Sequence, residues 1–109
     1  MDNVIQQIIQ FRDERDWKQF HNSKDLAISL TLEASELLEN FQWKDSEVAV
    51  NEKMDQIKDE LADVLIYALM LAHDLDINIE SAILNKLKKN EVKYPIDKFK
   101  GTSKKYTDG

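Results

Sequence analysis

The chain has 109 residues, of which 42% are hydrophobic and 33% are charged, and its formal net charge is −6. This length fits one domain, and the apolar fraction excludes a disordered chain. Two glycines and one proline provide too few turns for a many-stranded sheet, and the absence of cysteine excludes disulfides, thiolate zinc sites and cysteine nucleophiles.

The pattern of apolar residues predicts an all-α chain of four helices. Apolar side chains at helical spacing indicate a first helix over about residues 2–15. After a loop, Asn22 or Ser23 can cap a second helix that runs to about Phe41.

The second half of the chain predicts two more helices. Asp45 or Ser46 offers the cap of a long third helix that extends to about Leu75. Asn78 can cap a fourth helix over about residues 79–91. Because the connections are short, we expect neighbouring helices to pack antiparallel in a four-helix bundle.

Pro95 ends the helical pattern because it lacks the amide proton that a helix interior requires. We therefore predict a single helical domain over residues 1–95 and a basic C-terminal tail over residues 96–109. The last part of the tail, from Phe99 onward, has no periodicity and is expected to be extended or mobile.

The second helix is apolar on more than one face. Ile28 and Leu32 lie away from the stripe that Leu26, Leu30 and Leu37 form. Because a helix with additional apolar faces needs additional partners, we expect this chain to associate with a second copy of itself.

Two pairs of acidic residues occupy matching positions on the second and third helices. At about 100° per residue, Glu33 borders the apolar stripe of its helix and Glu36 lies one step beyond it. Glu60 and Asp63 take the same positions on the third helix, whereas Glu39 points elsewhere. Antiparallel packing would bring the two pairs to one level.

Converging carboxylates favour a metal ion. Like charges a few ångströms apart are costly unless the groups are protonated or neutralised by cations. An all-oxygen ligand set suits a hard ion such as Mg²⁺ or Mn²⁺, and no histidine follows either pair at the spacing of di-iron bundles. Acid pairs on helices are also common as solvated surfaces, so spacing alone leaves both interpretations open.

The charge is unevenly distributed along the chain. Residues 1–83 carry 7 Lys/Arg against 18 Asp/Glu, whereas residues 84–109 carry 8 Lys against 3 Asp/Glu. The acidic part disfavours binding of a nucleic acid polymer, and the basic end could contact phosphates or offset the acidic part. No apolar run approaches the roughly 18 residues of a membrane helix, and no secretory signal is evident. We therefore expect a cytoplasmic protein without a membrane partner.

Three segments carry a resemblance to a known family: Glu14-Arg-Asp-Trp-Lys-Gln-Phe-His21, Phe41-Gln-Trp-Lys44 and Asp63-Val-Leu-Ile-Tyr67. Together with the acid pairs, they make the chain similar to the MazG-like nucleotide pyrophosphohydrolases, and most of all to their dCTP pyrophosphatase branch. The resemblance implies an all-α fold of paired subunits, a dimer or a dimer of dimers. It also implies Mg²⁺-dependent hydrolysis of a nucleoside triphosphate to the monophosphate and pyrophosphate.

The resemblance further implies roles for individual residues. The metal ligands would be Glu33, Glu36, Glu60 and Asp63, and Glu33 would also orient the attacking water. The walls of the nucleobase pocket would be Trp17, His21 and Trp43, with Tyr67 packing on the sugar and disfavouring a 2′-hydroxyl. Without the resemblance, Trp17 and Trp43 would be assigned to a core or an interface, His21 to a loop or a cap, and Tyr67 to an ordinary amphipathic helix position.

The fourth helix would supply the contacts to phosphates and sugar. The resemblance assigns these to Lys86 and Asn90, one turn apart, with assistance from Lys93 and Tyr94. This chain departs from the family where Glu91 and Val92 interrupt the basic run before Tyr94, so the expected phosphate contacts shift to Lys86 and Asn90.

The predicted function is therefore a (deoxy)nucleoside triphosphate pyrophosphohydrolase that acts on dCTP or a modified dCTP in nucleotide-pool cleaning. One alternative keeps the chemistry and changes the substrate to dUTP, a phosphoribosyl nucleotide or an oxidised base. The other is a non-catalytic helical module that binds another protein through the additional apolar surface of the second helix.

Overall fold

The computed structural model describes residues 1–102, which are helical and contain no strand. The helices are α1 (Asp2–Glu14), α2 (Ser23–Glu39), α3 (Ser46–Asp74), α4 (Ile79–Lys93) and the short α5 (Ile96–Phe99), with a 3-10 turn at Lys18–Phe20. The predicted all-α fold is thus confirmed over this range. None of the described helices has the combination of length and apolar character that crossing a membrane requires.

Side-chain caps fix the starts of the three long helices after α1. Asn22, Asp45 and Asn78 each accept a hydrogen bond from the backbone N–H three residues further on, at 2.8, 3.0 and 3.0 Å respectively. Each cap pairs a donor that the first helical turn leaves without an intrahelical acceptor. The cap of α2 is therefore Asn22 and not Ser23, and that of α3 is Asp45 and not Ser46.

Residues Met1–Ile77 form one compact unit, and the segment from Asn78 onward forms a second. In the first unit, α2 packs along α3, and α1 packs on α3. The core joins Ile9 of α1, Leu26 near the start of α2 and Met70 near the end of α3. Since the start of α2 meets the end of α3, these two helices run antiparallel, as the short connection predicts.

Much apolar surface of this unit remains uncovered in a single chain. Ile28 and Leu32 on α2 are 47% and 59% exposed, in agreement with their predicted position away from the core. Leu61 and Leu65 on α3, one turn apart, are about half exposed as well. Apolar residues in such numbers on neighbouring helices are typical of surfaces that bind another protein.

The structure differs from the sequence prediction in three local features. The long helix α3 is kinked at Lys53, which leaves the helical region of φ and ψ. The predicted loop after α1 contains the 3-10 turn. Phe99, expected to be in an extended or mobile tail, lies in α5, where its ring packs edge-to-face on Tyr94 at 5.0 Å between centroids. Residues 103–109 lie outside the described range, and the proposed boundary at residue 95 stays a prediction.

Leu26 is fully buried, whereas Leu38 on the same helix is 69% exposed. Truncation of Leu26 to alanine removes packing against α1 and α3 and leaves a cavity, so Leu26→Ala should lower the free energy of unfolding by about 2–5 kcal/mol. Leu38→Ala should lower the free energy of unfolding by well under half of that amount. Urea unfolding of both variants, followed by circular dichroism, measures the difference, and equal losses would contradict the assigned core.

Candidate active site

The central feature of the first unit is a cluster of three glutamates between α2 and α3. Glu33 and Glu36 come from α2 and Glu60 from α3, and each offers one carboxylate oxygen so that the three atoms all lie within 4.8 Å of one another. Their convergence follows from the antiparallel packing, because the middle of α2 faces the middle of α3. Three negative charges at this separation repel each other strongly.

Two members of the cluster each keep one poorly solvated carboxylate oxygen, whereas Glu36 is exposed. The Oε2 atoms of Glu33 and Glu60 are buried and have no hydrogen-bond partner. Burial, reinforced by the neighbouring carboxylates, raises the pKa of Glu33 to about 7. Burial and the charge of Glu36 also raise the pKa of Glu60 above its ordinary value. The folded chain thus holds acidic oxygens under conditions that disfavour their ionised form.

Asp63, the fourth predicted ligand, adjoins this cluster. Its charge contributes to the raised pKa of both Glu33 and Glu60. Asp63 is partly buried on α3, one turn after Glu60. The structure thus brings together Glu33, Glu36 and Glu60 directly and places Asp63 beside them.

The donor set fits a hard divalent cation. All the converging groups offer oxygen ligands, which Mg²⁺ and Mn²⁺ prefer, and two of these oxygens are buried without a partner. A divalent cation would pair those oxygens and remove the repulsion between the carboxylates. The cluster therefore could bind a metal ion.

A cavity of about 610 Å³ opens next to the carboxylates. Its size lies within the range of about 300–1,000 Å³ that is usual for small-molecule sites. The side chains that line it from α1 are Val4, Gln7, Ile8 and Phe11, and those from the rest of the unit are Trp17, His21, Glu33, Asp63, Ile66, Tyr67 and Met70. The cavity thus combines apolar walls with an acidic edge.

Three of the predicted base-pocket and sugar residues lie in this cavity. The Trp17 ring packs edge-to-face on Phe11 at 5.7 Å between centroids, and its side chain is 44% exposed. His21 and Tyr67 pack edge-to-face at 6.3 Å. Burial, followed by the charges of Glu33 and Asp63, raises the pKa of Tyr67, so its hydroxyl stays protonated and able to donate a hydrogen bond at neutral pH.

The contribution of α1 to the cavity is absent from the sequence prediction. Val4, Ile8 and Phe11 follow one face of the helix, while Ile5 and Ile9 follow another and pack in the core. The presence of two apolar faces on α1 is visible in its sequence as the doubled residues Val4-Ile5 and Ile8-Ile9. Gln7 also lines the cavity from α1, but it is polar, so the pattern of apolar residues does not indicate its position.

The remaining predicted residues lie elsewhere. Trp43 is 93% exposed in the turn between α2 and α3, has a φ of +63° and does not line the cavity. Lys86 and Asn90 lie one turn apart on α4, Lys93 is its last residue, and Tyr94 follows. These four belong to the second unit. The functional roles of Trp43 and of these four residues stay predictions.

The sequence model of the MazG-like family matches residues 28–108, which include both acid pairs and the whole of α4. The chain belongs to the MazG-like family. This confirms the resemblance to the family that the acid pairs and the three segments around Trp17, Trp43 and Tyr67 predict.

Individual relatives agree with this assignment. The chain is 38% identical to dCTP pyrophosphatase 1 of Mus musculus and of Homo sapiens over 104 residues, which is 91% of this chain and 61% of either relative. It thus spans about three fifths of the length of these curated relatives. A crystal structure of a pyrophosphatase from Archaeoglobus fulgidus superposes with a TM-score of 0.83 at 39% identity, covering 87% of this chain and 92% of that one.

The raised pKa of Glu33 predicts how stability depends on pH. Between the ordinary value of 4.5 and the folded value of about 7, the folded chain binds a proton that the unfolded chain has released. The contribution of Glu33 to the free energy of unfolding should therefore decrease as the pH rises from 4.5 to 7 in the absence of divalent ions.

Thermal unfolding in a chelating buffer at several pH values measures this contribution. The difference in melting temperature between the native chain and Glu33→Gln should change with pH across this window, to the disadvantage of the native chain at the upper end. The exposed Glu39→Gln serves as the control and should track the native chain. A pH-independent difference between the native chain and Glu33→Gln would contradict the raised pKa.

Proposed function

We propose that this chain is a divalent-metal-dependent nucleoside triphosphate pyrophosphohydrolase, which releases pyrophosphate and the nucleoside monophosphate. The observation that carries the proposal is the position of the carboxylates at the edge of the cavity. Glu33 belongs both to the metal-binding cluster and to the cavity lining, and Asp63 also lines the cavity. A bound molecule could thus reach the metal ligands and the apolar walls at once.

The acidic residues would act as the metal ligands. Glu33, Glu36, Glu60 and Asp63 would hold one or more Mg²⁺ ions, with Mn²⁺ as a possible substitute. When bound, Mg²⁺ neutralises the charge of a triphosphate and stabilises the charge that develops at phosphorus. Without a cation, the same cluster would repel a triphosphate.

Glu33, which like Asp63 lines the cavity, is proposed to orient the attacking water. It lies on the cavity side of the cluster, so that a water between it and the substrate could donate a hydrogen bond to its carboxylate. The water oxygen would bond to phosphorus while the anhydride bond between the α- and β-phosphates breaks, and the proton that the water loses would pass to the Glu33 carboxylate. This gives a nucleoside monophosphate and pyrophosphate.

The cavity walls would bind the nucleoside. Stacking of a base on an aromatic side chain contributes about 1–3 kcal/mol, and Trp17 offers a half-exposed ring at the cavity. His21 would complete the wall. Tyr67, which lies between Asp63 and Met70 in the sequence of α3, would pack on the sugar and disfavour a 2′-hydroxyl. Trp43 is proposed as a further wall of the base pocket.

The preferred substrate is proposed to be dCTP or a modified dCTP. Support comes from the relatives at 38% identity, which are named dCTP pyrophosphatase 1. Hydrolysis of dUTP by the same chemistry remains the alternative, since the cavity walls are apolar and aromatic rather than specific for one base. In the second unit, Lys86 and Asn90, with Lys93 and Tyr94, are proposed to contact phosphates and sugar.

We also propose that the chain works as a homo-oligomer, a dimer or a dimer of dimers. Ile28, Leu32, Leu61 and Leu65 leave a large apolar area exposed on α2 and α3 in a single chain. A second copy would cover it and gain the free energy of apolar burial. The same area supported the alternative of a non-catalytic interaction module, but a carboxylate cluster beside a cavity favours the enzyme.

A panel of deoxynucleoside and nucleoside triphosphates with Mg²⁺, assayed for pyrophosphate, tests the catalytic proposal. The native chain should release pyrophosphate, fastest from dCTP or a modified dCTP. Glu36→Gln and Glu60→Gln should each lower kcat at least about 100-fold, because each removes a charged ligand of the metal. Activity should vanish in a chelator and return with Mg²⁺.

Glu39→Gln is the matched control, since it removes an exposed carboxylate from α2 outside the cluster. It should retain the native rate. The proposal is contradicted if no triphosphate gives pyrophosphate, or if Glu36→Gln and Glu60→Gln keep full activity with an unchanged helical circular dichroism spectrum.

The oligomer proposal predicts a change of mass in solution. The double variant Ile28→Asp/Leu32→Asp places two charges in the exposed apolar area and should dissociate the native oligomer, because burial of an unpaired charge is costly. Lys24→Asp, at an exposed polar position of α2, should leave the mass unchanged. Light scattering after size-exclusion chromatography measures both, and a native chain that is monomeric at micromolar concentration would refute the proposal.

A further inference from the structure

Arg12 is the most deeply buried charged side chain of the described residues, with 1% of its side chain exposed. Its Nη1 atom donates a hydrogen bond of 2.8 Å to Oδ1 of Asp74, the last residue of α3. The two residues are 62 positions apart in the chain, so this ion pair connects the ends of α1 and α3. Neither residue belongs to the carboxylate cluster or to the cavity lining.

The backbone of Arg12 determines the position of Trp17. In the turn that follows α1, Asp16 lies in the left-handed region at a φ of +54°. The Trp17 N–H donates to the Arg12 carbonyl at 3.1 Å, and the Asp16 N–H donates to the Asp13 carbonyl at 3.1 Å. This is the hydrogen-bond pattern of a Schellman motif, in which the residue after the turn also packs back on the helix. The contact of Trp17 with Phe11 is that packing.

Helix α3 ends in the same way. Asp76 has a φ of +55°, its N–H donates to the His73 carbonyl, and the Ile77 N–H donates to the Ala72 carbonyl at 2.8 Å. Asp74 lies inside this terminal turn and is only 16% exposed. Its partner, the Arg12 guanidinium, also interacts favourably with the negative end of the helix dipole. The hydrogen bonds of this turn therefore fix the backbone around Asp74.

We propose that the Arg12–Asp74 ion pair is a positioning device for the nucleobase pocket. It fixes the end of α1 on α3, and through the Schellman motif this sets the position of Trp17 relative to Tyr67 and Met70, which line the same cavity. This inference deepens the proposed function, on which its kinetic test depends.

Asp74→Asn is the decisive variant, because it keeps the shape of the side chain and removes its charge. KM for the triphosphate should rise about tenfold, since the pocket wall is displaced relative to its partner wall. The value of kcat should stay within about threefold, because the carboxylate cluster lies on other helical turns. Asp74→Glu, which keeps the charge, should restore most of the native KM.

Asp13→Asn is the matched control. Asp13 also pairs with the Arg12 guanidinium, at 3.1 Å, but it is 54% exposed and belongs to the same helix, so it does not connect α1 to α3. Both kinetic constants should keep their native values in this variant. An unchanged KM in Asp74→Asn, or equal losses of kcat and helicity, would overturn the positioning role.

A second readout does not require turnover. In a Trp43→Phe background, Trp17 is the single tryptophan of the chain. The acrylamide quenching constant of Trp17 should rise about twofold on Asp74→Asn and stay unchanged on Asp13→Asn, because only the first releases the end of α1. Equal quenching in both would refute the proposal. If no triphosphate is hydrolysed but quenching changes as expected, the proposed function fails and the positioning device stands.

Discussion

The site depends on one unfavourable contact, the crowding of Glu33, Glu36 and Glu60 between α2 and α3. Their oxygens lie within 4.8 Å of one another, and two of the carboxylates keep a buried oxygen without a hydrogen-bond partner. A fold that served stability alone would place such groups in solvent. Here the packing of Leu26 on Met70 holds the helices in the register that forces the carboxylates together. The unfavourable energy is the reason why a divalent cation would bind there.

The cavity beside the cluster would place a bound molecule next to these carboxylates. The two parts of a nucleoside triphosphate need different surroundings. The triphosphate is highly charged, whereas the base of the nucleoside presents a flat apolar face. In the proposed function, the acidic edge of the cavity would face the triphosphate through a metal ion, and aromatic walls such as Trp17 would face the base. Helix α1 supplies part of the cavity lining, and the ion pair of its buried Arg12 with Asp74 joins the end of α1 to the end of α3.

Much of this was accessible from the sequence, because it follows from helical periodicity and local capping chemistry. The starts of α2, α3 and α4 follow from Asn22, Asp45 and Asn78, and the meeting of the acid pairs follows from their equal phase on antiparallel helices. The kink at Lys53 and the ion pair of Arg12 could not be predicted in this way. They depend on contacts between distant segments, for which periodicity gives no signal.

Diffraction from crystals soaked in Mn²⁺ tests the central claim most directly, because the anomalous signal locates the ion without reference to activity. The account predicts an anomalous peak among the oxygens of Glu33, Glu36 and Glu60, with Asp63 as a ligand of the same or an adjacent ion. Crystals of the Glu60→Gln variant, soaked in the same way, should lack that peak. Carboxylates that point apart into solvent, or a peak found only elsewhere on the molecule, would contradict the account.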